Sequence, residues 1–342
     1  MDSITQAALG AAVGGAIGGR QLGWRAFAWG AGLGTLPDLD VFIHYQDAVD
    51  QVTKHRGFSH SIFVLSALSP LIGAIVSKLH SWRYWSATLM VWLCLVTHPI
   101  LDCFTSYGTQ LFWPLETPPI AWSTIFIIDP LYTLPLLVGI GISLWAFKTR
   151  RADPTSANLW GLGVSQGYLV LSVILMLSVR AQAVPILAQH NVFESPFLAP
   201  TPFNIMSWRV IGKNEDQLLI GYFSWLDPKP ITFNAYPHNQ NLADKHALPK
   251  LARLDWFTHG YYQLQDDQGQ LKFVDMRLGV EPYLPFRYLL AEHSPAGWQP
   301  SQTTTRLPPP KTGKALIPEL IELIRGQSLP IADLDQVDKP AN

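Results

Sequence analysis

The chain divides by the length of its uncharged runs. His60–Leu79, Tyr84–Leu101, Pro130–Phe147 and Leu159–Val179 hold no acidic or basic residue except at their edges, and each has 18 to 21 residues. About 20 apolar residues cross a bilayer as helix, so each run predicts a transmembrane span. Two shorter Gly/Ala-rich stretches, Ile4–Gly19 and Leu22–Leu36, precede them. These are marginal in length and are expected to be tilted, re-entrant or packed behind other helices. Gly14, Gly15, Gly18 and Gly19 let helix backbones approach closely in lipid. A pair of core helices in a soluble domain is the competing reading, and the four spans that follow outweigh it.

The pattern changes after residue 180. Pro185, Pro196, Pro200 and Pro202 mark a linker over 184–203. Short runs rich in Val, Ile, Tyr, Phe and Trp follow at Ile205–Ile211, Gln217–Trp225, Trp256–Leu264 and Leu271–Leu278. Turn residues such as Asp266-Asp267-Gln268-Gly269 separate them, which predicts a small antiparallel β domain over 204–295. A Pro-rich connector at Pro308–Pro310, a short helix at Ile317–Arg325 and a polar tail complete residues 296–342. The expected fold class is α + β: a polytopic helical membrane domain (1–183, four to six spans) followed by a small antiparallel β-rich soluble domain.

Composition supports this division. The chain is 48% hydrophobic and 14% charged with net charge −1, against about 25% charged in an average soluble chain. Only ten Lys/Arg and nine Asp/Glu fall in residues 1–180, so the low charge belongs mostly to the first half. The balance excludes a nucleic-acid footprint and disorder, and two cysteines exclude a disulfide scaffold. No basic region precedes the first apolar stretch, which therefore reads as a retained membrane segment. With six spans, Arg20, Arg25, Lys78, Arg83, Lys148, Arg150 and Arg151 share one side, and only Lys54 and Arg56 the other. The first side is then cytoplasmic, and the β domain is expected to face outward.

Ionisable residues at membrane depth are costly and mark function. Four groups stand out, all on the predicted outer side. Pro37-Asp38-Leu39-Asp40 sets two carboxylates at a helix end. His55-Arg56-Gly57-Phe58-Ser59-His60 precedes a span, and Gly57 allows a turn that lets both imidazoles converge. His98 and Asp102 stand four apart on one helix face. Asp129 precedes Pro130 and also suits a helix N-cap. Such a His/Asp set suits Zn²⁺, Mn²⁺ or Fe, singly or as a pair, and a bound metal generates hydroxide at neutral pH. Asp38, His55, His60, His98 and Asp102 are the expected ligands. Asp40 and Asp129 are expected as further ligands or as acceptors that orient a His, with Asp40 also a candidate catalytic group. Arg56 is suited to stabilising anionic charge.

At these residues the chain resembles the YdjM-like family of inner-membrane, metal-dependent hydrolases. Met1-Asp2-x-x-Thr5, Pro37-Asp38-x-Asp40, His55-Arg56-Gly57-x-Ser59-His60 and His98-x-x-x-Asp102 carry the resemblance over about residues 1–180. Trp208-Arg209-Val210 and Asp275-Met276-Arg277-Leu278-Gly279 are similar to the β-rich tail of longer members. The resemblance implies a multi-pass bacterial inner-membrane protein with hydrolase activity, and names no substrate. Similar proteins often carry His directly after the early Thr; here the residue is Gln6, which puts more weight on Asp38, Asp40 and Asp129. Arg56 and the membrane location point to a phosphoester or lipid-linked substrate. The alternatives are an ion- or proton-coupled transporter, and a non-catalytic membrane protein whose β domain binds a partner.

Overall fold

The structure, a computed structural model, describes residues 1–308 except Ala152, Pro282 and Ala296. The short helix and polar tail expected after Pro308 lie outside the described residues. The chain forms two compact units: Met1–Ile43 with His55–Val173, and His44–Lys54 with the chain from Ile174 onward.

The first unit is helical. In chain order the helices are α1 (Ser3–Leu22), α2 (Trp24–Thr35), α3 (Ala48–Lys54, part of the second unit), α4 (Ile62–His80), α5 (Tyr84–Cys103), α6 (Pro130–Lys148) and α7 (Ser156–Gln189). The expected spans correspond to α4, α5, α6 and α7, and these four are long and apolar enough to cross a membrane. Their starts are written locally. Asp129 caps α6 with Pro130 in the first turn, and Ser61 caps α4 through the Val64 N–H, satisfying donors that a helix start leaves open.

The two Gly/Ala-rich stretches form a hairpin. Gly10 and Gly14 of α1 meet Gly30 and Gly34 of α2, and a Cβ on Gly30 would lie 2.1 Å from the Gly10 carbonyl oxygen. Only glycine allows that backbone approach. The 12 residues of α2 rise only about 18 Å, short of a ~30 Å hydrocarbon core. As the pattern anticipates, α1 packs behind other helices, against α2, α5 and α6. The helices alternate in direction. The starts of α1, α4 and α6 gather with the ends of α2 and α5, and Arg20, Arg25, Lys78, Arg83 and Lys148 mark the opposite ends.

The second unit holds two four-stranded antiparallel sheets. The first orders β1 (Phe197–Pro200), β2 (Ser207–Lys213), β3 (Gln217–Ser224) and β4 (Phe233–Pro237) side by side; the second orders β5 (Tyr262–Asp267), β6 (Gln270–Asp275), β7 (Arg287–Ser294) and β8 (Gly297–Arg306). Ile211, Leu218 and Ile220 of the first sheet share a core with Val274 and Met276. Helix α8 (Pro249–Thr258) packs against α3. Two buried ionic groups lie here. Arg209 pairs with Glu281, which also accepts from Tyr222 Oη at 2.7 Å, and Arg277 grips Asp275 at 2.8 and 3.1 Å.

The structure departs from the sequence pattern in three places. The expected linker at 184–203 is largely ordered: α7 runs through Pro185 to Gln189, and Phe197–Pro200 is an edge strand, where proline is tolerated. Burial of Val179, Ala183 and Leu187 holds that helix around its proline. The run Trp256–Leu264 is split, because Trp256–Thr258 ends α8 and the chain reverses at His259 and Gly260, both at positive φ. Strands β7 and β8 lack the apolar alternation that marks strands; β8 reads GWQPSQTTTR.

Candidate metal centre

The four polar groups of the sequence lie at the same end of the helical unit, on two short turns, the last turns of α5 and the cap of α6. After α2, Pro37 opens a 3-10 turn, Pro37–Phe42, that carries Asp38 and Asp40. A second 3-10 turn, Phe58–His60, leads into α4 and carries His60. Pro99 does not stop α5, so His98 and Asp102 stay one turn apart on the same face.

One ligand atom each from Asp38, His60, His98 and Asp102 lies within 4.8 Å of all the others. The two Nε2 atoms of His60 and His98 face each other at 3.1 Å. Asp38 Oδ1 is 3.4 Å from His60 Nε2 and 3.3 Å from His98 Nε2. Asp102 Oδ2 is 3.3 and 3.5 Å from the same nitrogens. An ion held tetrahedrally at about 2.0–2.1 Å has ligand-to-ligand edges of about 3.3–3.4 Å, so this donor set fits a metal ion.

The tautomers fit as well. His98 Nδ1 lies 2.5 Å from the Gly34 carbonyl, which only accepts, so Nδ1 carries the hydrogen and Nε2 presents its lone pair. Ser59 Oγ donates to Asp40 Oδ2 at 2.7 Å and must therefore accept from His60 Nδ1 at 2.9 Å. That leaves the His60 Nε2 lone pair inward too. Two lone pairs and two carboxylates thus converge. Asp102 Oδ2 is fully buried and makes no hydrogen bond among the described residues.

The remaining candidates surround this group. Asp40 stands behind it, accepting from His55 Nδ1 at 2.9 Å and the Arg56 N–H at 3.0 Å as well as from Ser59. His55 is a quarter exposed and lies beside the four-residue group, not in it. Arg56, buried and at φ 58, sets Nε 3.2 Å from Asp102 Oδ2 and Nη1 3.2 Å from Thr105 Oγ1. Asp129 is not brought to the group. Its oxygens take the Leu131 and Tyr132 N–H groups of α6 and the Tyr168 hydroxyl. Gln6 donates to Asp102 Oδ1 at 3.0 Å, and the Met1 amine pairs with the same carboxylate. Ser59 links Asp40 to His60, a role that its residue type alone does not reveal. The Gly34 carbonyl is a backbone group and leaves no mark in residue type.

Four apolar spans and this buried His/Asp group define a multi-pass membrane protein equipped to hold a metal ion. The chain belongs to the YdjM inner membrane protein family, whose match covers residues 1–181. It is 24% identical over 269 residues to the uncharacterised protein YfhP of Bacillus subtilis (strain 168), covering 73% of this chain and 76% of that protein. No solved structure matches.

Proposed function

We propose that this protein is a membrane-bound, metal-dependent hydrolase of phosphoester or lipid-linked substrates, working at the outer face of the membrane. The observation that carries the reading is the convergence of two imidazole lone pairs and two carboxylates on one point, which without a cation is repulsive. The mixed imidazole and carboxylate donor set suits Zn, Mn or Fe. A divalent ion held by Asp38, His60, His98 and Asp102 would polarise an ester oxygen and bring the pKa of water towards neutrality.

The other residues support that chemistry. Arg56 balances one of the two ligand carboxylates, so the site with a divalent ion carries net positive charge and favours an anionic substrate. Asp40 fixes the hydrogen of His55 on Nδ1, leaving Nε2 of this partly exposed ring to carry a proton to or from the leaving group. Asp40 also orients His60 through Ser59. The Lys/Arg bias of the opposite loops supports an orientation with the His/Asp end, and the chain that follows α7, outside the cytoplasm. A transporter reading calls for charged groups near mid-bilayer, whereas these lie at helix ends.

Metal analysis of the purified full chain beside His60→Ala and His98→Ala tests the reading, together with hydrolysis of a chromogenic phosphodiester. The wild type is expected to hold about one transition-metal ion per chain and both variants less than about a tenth of that, with hydrolysis following the metal. A metal-free wild type after supplementation, or a His98→Ala protein with full activity, overturns it.

A further inference from the structure

A groove of about 760 Å³ runs along α2 beside α4, lined by Arg25, Trp29, Leu33 and Leu36 on one side and Ile72 and His80 on the other. Its walls are apolar except at one end. There Arg25, exposed, has neither hydrogen bond nor ion pair among the described residues, and lies only near the Trp24 ring at 5.8 Å. His80 Nε2 accepts from Trp29 Nε1 at 2.8 Å, which leaves Nδ1 with its hydrogen as a donor. Arg20, Lys78 and Arg83 lie at the same end of the helical unit, and neither α2 nor α4 contains an acidic residue. The groove therefore combines an apolar trough with a cluster of donors and positive charge. The 12 residues of α2 rise about 18 Å, on the order of the ~15 Å depth of one leaflet.

We propose that this groove is a binding site for an anionic phospholipid, with the headgroup phosphate on Arg25 and His80 and an acyl chain along Leu33, Leu36 and Ile72. Basic pockets between transmembrane helices recognise such headgroups. A second copy of the chain is the competing occupant. Rotated about the membrane normal, it would set its own Arg20, Arg25, Lys78 and Arg83 against the same residues, and like charges oppose that contact. The headgroup end lies at the opposite end of the helical unit from the His/Asp group, so this site stands or falls independently of the metal reading.

Native mass spectrometry of the full chain released from mixed phosphatidylglycerol and phosphatidylcholine vesicles tests it. The wild type is expected to retain phosphatidylglycerol selectively. Arg25→Gln should lower that selectivity about fivefold, the equivalent of ~1 kcal/mol per cation. Gly32→Leu, which adds a side chain where a Cβ meets nothing within 4 Å, should lower retention of both lipids, and Arg150→Gln should leave it unchanged. Equal retention of the two lipids overturns the proposal, as does an unaltered Arg25→Gln. A dimer in the wild type that Gly32→Leu abolishes assigns the groove to a second copy and also overturns it.

Discussion

Each unit buries charged side chains, but the two solve the problem in opposite ways. In the β-rich unit, Arg209 faces Glu281, and Tyr222 and the Met276 carbonyl complete the set. Donor meets acceptor throughout that group. In the helical unit, Asp38, His60, His98 and Asp102 turn acceptors toward one another, and Asp102 Oδ2, ion-paired with Arg56, makes no hydrogen bond among the described residues. A closed network is what a folded core needs. A convergent set of acceptors is what a cation site calls for, and its outer hydrogen bonds, to the Gly34 carbonyl and to Ser59, hold the lone pairs in that convergence. Burial and charge alone do not separate the two clusters; the direction of each hydrogen does.

Three substitutions sharpen this contrast, in decreasing order of effect. Glu281→Ala opens the closed network and leaves a buried guanidinium unpaired, which should destabilise the second unit by about 3–5 kcal/mol. Hydrogen exchange of the β2 and β6 amides reads that loss, and metal content should not follow it. Ser59→Ala acts on the open cluster. It removes the acceptor that fixes His60, and should weaken metal affinity about 10- to 100-fold while unfolding of the second unit stays unchanged. Metal titration in the presence of a competing chelator measures it.

Asp47→Asn addresses an intermediate case. Asp47 accepts from the Thr304 N–H at 3.0 Å and pairs with Lys250 at 3.2 Å. Burial alone would raise its carboxyl, but the Thr304 hydrogen bonds and Lys250 bring it down to about 2. A depressed carboxyl stabilises the fold above its ordinary pKa. The contribution of Asp47 should therefore be intact above pH 3.8 and disappear as pH falls to about 2. The substitution should cost about 1 kcal/mol at neutral pH and remove that acid-dependent part, as hydrogen exchange across α3 would show.

The helical half is legible in the sequence because lipid imposes one rule, length without charge, and α4 to α7 obey it. The site is legible for the same reason. Against so few ionisable residues, Asp38, His60, His98 and Asp102 stand out, and His98 and Asp102 even show their helical spacing. Asp129 misleads because an N-cap and a metal ligand call for the same residue at the same place. His55 misleads because its partner, Asp40, is 15 residues away and is revealed only when the turns fold. In the β-rich unit the polar strand β8 and the Pro200 edge strand defeat pattern reading, since their pairing partners rather than their own side chains make them strands.

The course of the chain bears on what a truncation would remove. It passes between the units at 43/44, 54/55 and 173/174, and the first two passages fall between Asp38 and His60. The second unit is therefore not an appendage that a single fusion at the carboxyl end could add or a single cut remove. A segment encoded within the family's own 1–181 region, residues 44–54, folds with α8 and β8. Truncation after residue 181 would remove the α8 and β8 surfaces on which this segment packs, and so would reach back into the chain between Asp38 and His60.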